Sequence, residues 1–374
     1  MVKLTSFLSL GATLGALLTS ALAAAPAFDG QYIQANASNN AVEWWWASVI
    51  ADAEGSNPPP TFHILFYQGY AVQFGPRDPS LPEYYIDIKG YYPNGTTIDA
   101  VIPAASGDVV THGQDVRGTW GTVGSFHTAA DFSTFTIKFT APDFGLTGSV
   151  SFQSKAGHHF GCNTTSSPYF SGAIPKGTKL STTEDLLWNQ LGWATTIPGG
   201  QATVDIVYKG SPLKFTGAGY HDANWSPQPL NDIVTTTWYF GSGRVGPYDF
   251  SYVSATPINS TLVLNTGYIS RNGVVLQNQC SVEGKKSRDI STITPYGSAT
   301  DTGLTVPTGY ILQYVLANGE KITFNLTAQG ENPDLSIYHR WVGTAVGGKE
   351  GENVEGLSIF EWLNPGLVPY TPSN

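Results

Sequence analysis

The chain has 374 residues and a net charge of −10, with 12% charged and 13% aromatic residues, among them ten Trp and nineteen Tyr. So acidic a chain lacks the basic face that phosphate binding needs, which argues against a nucleic-acid partner. Few charges and many aromatics favour a large β core around a mostly apolar pocket.

At the N-terminus, Met1-Val-Lys3 precedes an apolar stretch from Leu4 to Leu18 and an A-x-A site at Ala21-Leu-Ala23. This is the pattern of a secretory leader, residues 1–23, cleaved after Ala23. No other segment is long and apolar enough to span a bilayer. The chain is therefore expected in the secretory pathway, with glycosylation sequons at Asn36, Asn94, Asn163, Asn259 and Asn325. Asn224-Trp-Ser fits the same pattern, but Pro227 follows it and modification is not expected there. Cys162 and Cys280 either form one disulfide, worth about 2–4 kcal/mol in an oxidising compartment, or stay as two buried thiols.

Strands dominate the next elements. Phe62–Tyr67, Tyr84–Lys89, Phe132–Phe139 and Gly148–Phe152 are short apolar or alternating runs, separated by Gly, Pro, Asn or Asp. Thr203–Tyr208, Thr235–Phe240, Tyr248–Val253, Tyr310–Leu316 and Lys321–Leu326 repeat the style. Asn94-Gly95, Asn272-Gly273 and Asn318-Gly319 are hairpin pairs. One short helix is expected from Thr183 to Leu191, capped by Thr182 or Thr183. The polar Gly161–Gly200 region divides two strand-rich halves, and the elements predict an all-β fold of antiparallel barrels or sandwiches.

Common catalytic signatures are absent: there is no G-x-S-x-G, no H-E-x-x-H and no phosphate-binding glycine loop. His158 and His159 are adjacent, so on a strand they point to opposite faces, and no metal site is assigned. No cofactor signature is present.

Three sets of residues carry candidate chemistry. In Val42-Glu-Trp-Trp-Trp-Ala-Ser-Val49, alternation puts Glu43 and Trp45 on one face and Trp44 and Trp46 on the other. A carboxylate beside indoles is desolvated, so Glu43 can stay protonated and donate a hydrogen bond. In "GAGYHDANWSP", His221 and Asp222 can form an acid/base pair, with Asn224 holding a substrate oxygen and Trp225 walling a pocket. The same residues also suit a structural turn, with Asp222 capping backbone N–H groups and Asn224 in a left-handed conformation. In Tyr338-His-Arg-Trp341 and Phe360-Glu-Trp362, the reading is an exposed Arg340–Glu361 ion pair, with Trp341 and Trp362 as pocket walls.

The run "GYHDANWSP" followed by "TTTWYFGSGRVGPYDFSYV" resembles the fungal Diels–Alderase family, lipocalin-like proteins acting on polyketide-derived intermediates. The early "VEWWWASV" is similar to that family's Glu-x-Trp strand. "GYHDANW" is also similar to carotenoid hydratases of the hydroxyneurosporene synthase type and to secreted kievitone hydratases. The resemblance implies two lipocalin-like (calycin) antiparallel β-domains, assigned here to 24–214 and 215–374, with a pocket in or between them. It departs from the family in one respect: many of these Diels–Alderases lack a leader. Secreted hydratases, and hetero-Diels–Alderases joining tropolones to terpenes, therefore stay open.

The leading expectation is a cofactor-free, metal-free pericyclase acting on an apolar polyketide- or terpene-derived molecule. Trp45, Trp225, Trp238 and Trp341 would be its walls, and Glu43, His221 or Asn224 its hydrogen-bond donors to a reacting carbonyl. A hydratase using Asp222 and His221 for proton transfer, and a lipocalin-like carrier, are the alternatives.

Overall fold

The computed structural model describes residues 26–35, 40–52, 57–75, 78, 80–162, 167–301, 304–367 and 370. The expected leader, residues 1–23, and the sequons at Asn36 and Asn163 lie outside the described residues. Asn94, Asn259 and Asn325 are exposed, whereas Asn224 is buried on a strand.

Two antiparallel, nearly closed barrel-like sheets dominate the molecule, as the resemblance implies, beside a small hairpin of Ala299–Asp301 and Leu304–Val306. The first runs from Thr97–Ala104 through Tyr84–Tyr91, Thr61–Gln68 and Val42–Ala51 to the long strands Ser211–Ser226 and Gly192–Tyr208. It continues through Leu146–Ser154, Thr134–Ala141, Gly124–Thr128 and Asp115–Trp120 to Gly107–His112. The second orders Val274–Val282, Leu264–Arg271, Tyr248–Pro257, Val234–Val245, Val354–Leu363, Tyr338–Lys349, Lys321–Leu335, Gly309–Val315 and Ile290–Tyr296. The division assigned at 214/215 falls inside a strand of the first sheet. The chain crosses to the second sheet between Ser226 and Val234, because the whole "GAGYHDANWS" run pairs residue for residue with Val42–Ala51.

Local chemistry explains the joints. Asn272 and Gly273 both take positive φ (51° and 78°), the conformation of a tight hairpin turn between Leu264–Arg271 and Val274–Val282. The short helix is capped by Ser181, not by Thr182 or Thr183. Glu184 reaches back to the Ser181 N–H at 2.7 Å while the Ser181 hydroxyl accepts from the Glu184 N–H, a capping box. Only Thr182–Asp185 is α-helical; Leu186–Gln190 winds as a π turn.

Each barrel interior is a packed aromatic core rather than a lumen. Trp45, Phe66, Trp120 and Phe126 fill the first, and Phe250, Tyr310, Phe324 and Trp341 the second. A third apolar cluster, with Trp44, Trp46, Trp193, Trp238 and Phe240, lies where the outer faces of the two sheets meet. Cys162 and Cys280 are bridged, tying the segment after the first barrel's short strand His159–Phe160 to an edge strand of the second sheet. Among the described residues no helix is long and apolar enough to cross a membrane.

Candidate functional site

Strand alternation builds the site. On Val42–Ala51 the odd residues Glu43 and Trp45 enter the first barrel, and Trp44 and Trp46 face the second sheet. The ladder then extends two rows across this outer face. One row reads Tyr85, Tyr67, Trp44, Asn224, Trp193; the next reads Val101, Asp87, Leu65, Trp46, Asp222. The second sheet answers with Leu335, Tyr338, Leu363, Trp238 and, one pair along, Arg340, Glu361, Phe240. Trp46 meets Phe240 edge to face at 4.7 Å, closing the inner end.

Between these rows lies a cavity of about 330 Å³, within the size range of small-molecule sites. Its walls are mainly aromatic and aliphatic, and its other polar or charged residues are Asp87, Lys89, Asn224, Arg340 and Glu361. Arg340 donates from Nε to Glu361 Oε1 at 2.6 Å and from Nη2 to the Tyr338 hydroxyl at 2.5 Å, and its guanidinium lies 5.6 Å from the Trp46 ring centroid. Its Nη1 has no hydrogen-bond partner among the described residues, nor has either amide atom of buried Asn224. Burial works against the Arg340 charge, but the Tyr338 and Glu361 oxygens outweigh it and keep the guanidinium protonated. Burial raises the Asp87 pKa even against the neighbouring Lys89 ammonium at 3.2 Å and the Arg340 guanidinium. The cavity wall thus carries the Arg340 guanidinium paired with Glu361, the unpaired Asn224 amide, and the Asp87 carboxyl, its pKa raised by burial, beside Lys89.

A wider, open cleft of about 640 Å³ sits at the far end of the same seam, beside Ile50, Ala218, Arg244 and Leu357. Arg244 there is already engaged, at 2.7 Å to Asp249 and 2.7 Å to the Gly200 carbonyl. The smaller cavity has the unpaired Asn224 amide and the Arg340 Nη1 in its wall and is the candidate site.

The sequence candidates divide between this cavity and the barrel interiors. Asn224 and Trp238 line the cavity. Asp222 is fully buried behind its wall, accepting from the Tyr220 hydroxyl at 2.7 Å, and burial raises its pKa well above the usual carboxylate range. His221 points into the first barrel, stacked on Phe135, with Nδ1 2.8 Å from the Trp46 carbonyl and Nε2 3.0 Å from Asp29. Glu43 is fully buried there, accepting from the Tyr32 and Ile33 N–H groups at 2.9 and 3.1 Å; burial raises its pKa. Trp45 packs among the first barrel's aromatics, Trp225 stacks on Tyr32 at 3.7 Å, and Trp341 and Trp362 fill the second barrel's core. The motif is strand throughout, so the alternative of a turn with a left-handed Asn224 is not what the chain adopts. The Arg340–Glu361 pair forms, but not on an exposed face: the side chains are 4% and 9% exposed because the first sheet covers them.

Sequence reasoning passed over Asp87, Lys89, Tyr67 and Trp193. A signal was present in Tyr85, Asp87 and Lys89, which share one face of a strand whose other face is Ile86 and Ile88.

The Diels-Alderase-like family model matches residues 75–364. The quinolone epoxide rearrangement protein penF of Penicillium thymicola is 28% identical over 328 residues, covering 85% of this chain and 83% of that protein. The Diels-Alderase poxQ of Penicillium oxalicum is 26% identical over 292 residues, 72% of this chain and 61% of that protein. The crystal structure of CghA with Sch210972 superposes with a TM-score of 0.66 at 20% identity, covering 91% of this chain and 96% of that one, which shows a shared fold.

Proposed function

The chain belongs to the Diels-Alderase-like family, and on that premise we propose that it is a cofactor-free cyclase promoting a Diels–Alder cycloaddition of an apolar polyketide- or terpene-derived substrate. The observation that carries this reading is an aromatic-lined cavity in whose wall Asn224 and the Arg340 Nη1 lack partners among the described residues. Such a reaction needs no obligatory proton transfer. It needs a flexible polyene, or two partners, held in a near-attack geometry, and Trp44, Trp46, Trp193 and Trp238 supply flat walls for that. Arg340 and Asn224 then donate to a carbonyl conjugated with the reacting alkene. Charge builds on that oxygen as the bonds form, so the interaction is stronger in the transition state than in the ground state.

A second reading has its own support. The Asp87 carboxyl, shifted towards its protonated form, lines the same cavity. It could protonate an epoxide oxygen and start a rearrangement of the kind for which penF is named. The bridged cysteines suit an oxidising compartment. Together with the expected leader and the exposed sequons, they support a reaction carried out in the secretory pathway.

The test uses a gene-deletion strain to accumulate the precursor, which is then given to the purified protein. An intramolecular cycloaddition yields a product of unchanged mass with no deuterium taken up from heavy water. A hetero-cycloaddition yields the summed mass of two partners. A product heavier by one water would make the protein a hydratase. Conversion at unchanged mass that collapses in Asp87→Asn would favour the rearrangement, and precursor bound but left unchanged would favour a carrier.

A further inference from the structure

The cavity does not end at its aromatic walls. Val101 and Leu335 both line it, yet they are 54% and 51% exposed. Each stands at the outer end of one of the facing rows, Val101 beside Asp87 on the first sheet and Leu335 beside Tyr338 on the second. On Thr97–Ala104 the inward residues are Ile98, Ile102 and Ala104, and the outward ones include Thr97 and Asp99. An outward valine there is not needed for the first barrel's own core.

The rim is also built. Asn332 donates from Nδ2 to the Gly90 and Ile98 carbonyls at 3.1 and 2.9 Å, and Tyr91 donates its hydroxyl to the Glu331 carbonyl at 2.6 Å. These three bonds pin the end of the strand Lys321–Leu335 against the first sheet, so both apolar residues are held at one mouth. From Trp46 to Val101 the row crosses three strand spacings, roughly 14 Å at ~4.8 Å each. About 330 Å³ is near the lower end for ligand sites, so a long substrate must continue past the inner walls.

We propose that Val101 and Leu335 are specificity-determining residues: they form an apolar lip that takes the unreactive hydrocarbon tail of the substrate as it leaves the cavity. The reactive, carbonyl-bearing part lies inward at Arg340 and Asn224, and the tail runs outward between the two rows. The assignment rests on the cyclase reading only for which end of the substrate lies inward.

The experiment measures binding, without turnover. The probes are N-methyl amides of straight-chain fatty acids, from hexanoic to hexadecanoic, titrated by quenching of tryptophan fluorescence. In the unmodified protein the affinity climbs through the whole series, by about fourfold for each methylene fully buried and less for those lying on the lip. In Val101→Asp and Leu335→Asp the short members bind as before and the climb stops once the enclosed part is full. Unchanged melting temperatures certify that both variants fold. If the climb stops at the same length in all three proteins, or if short and long members weaken equally, the lip is not a tail site. A series that binds without a lip effect overturns this assignment and leaves the cyclase reading standing. Full binding of the series by a protein that leaves the precursor unconverted does the reverse.

Discussion

Replacing Arg340 by Met separates what the guanidinium does for the reaction from what it does for the fold. The side chain is 4% exposed, bonded at 2.6 Å to a carboxylate that is itself 9% exposed, and packed over Trp46. Removing it leaves Glu361 buried without its counter-charge, which costs about 3–5 kcal/mol. With an unfolding entropy of about 2.1 cal/mol/K per residue, a single cooperative unit of this length loses roughly 4–6 °C in melting temperature. The rate should suffer independently, because a fixed cationic donor in a water-excluded site is worth about 10²–10³ in kcat. The double variant Arg340→Met with Glu361→Met distinguishes the two effects. With no charge left unpaired, thermal stability should return close to the starting value, while single-turnover conversion of the precursor stays low. If Arg340→Met converts precursor at the original rate, or if the double variant recovers rate together with stability, Arg340 only neutralises Glu361 and another group polarises the substrate.

Three further outcomes follow from the same geometry. Asn224→Ala deletes a buried amide that has no partner among the described residues, so the melting temperature should hold or rise while conversion falls; a large loss of stability would mean the amide is structural. Burial lowers the His159 pKa to about 4 from 6.5, so its contribution to stability is complete above pH 6.5 and is lost progressively as pH falls towards 4. That loss amounts to about 3 kcal/mol; His159→Phe should flatten this part of the curve of melting temperature against pH, and an unchanged slope would refute the assignment. Reducing the Cys162–Cys280 bridge, which spans a sequence separation of 118, should cost about 4–5 kcal/mol in the chain-entropy account. Equal melting temperatures with and without reductant would show that the interface between the sheets alone carries that constraint.

The strands were legible because most of them alternate or carry β-branched and aromatic runs between turn residues, and the Asn-Gly pairs mark where hairpins reverse. The long strand Ser211–Ser226 was harder. It pairs with two neighbours and crosses register shifts between Thr195, Ile197 and Gly200 on one of them. Nothing local in its sequence distinguishes the last strand of one sheet from the first of the next. The helix cap was misplaced by one or two residues because Ser181, Thr182 and Thr183 are all competent caps, and only Ser181 stands three residues before a glutamate.

The candidate site was half legible, and alternation explains which half. "GYHDANW" is a central strand with both faces covered, so adjacent polar residues go to different places. Asp222 and Asn224 turn towards the second sheet, whereas His221 and Trp225 turn towards the first barrel. Local sequence shows that two such faces exist, but not which of them meets a cavity. That depends on the partner sheet, whose Arg340 and Glu361 arrive from more than a hundred residues away. The same reasoning divides Glu43 and Trp45 from Trp44 and Trp46. The residues turned inward hold the segment around Asp29, Tyr32 and Ile33 within the first barrel. The outward ones form the wall against which a substrate would lie. A motif with one His, one Asp and one Asn in four positions is therefore not one catalytic cluster. It is two sets of contacts on opposite faces of a sheet, and they serve different ends because a strand cannot turn neighbouring side chains the same way.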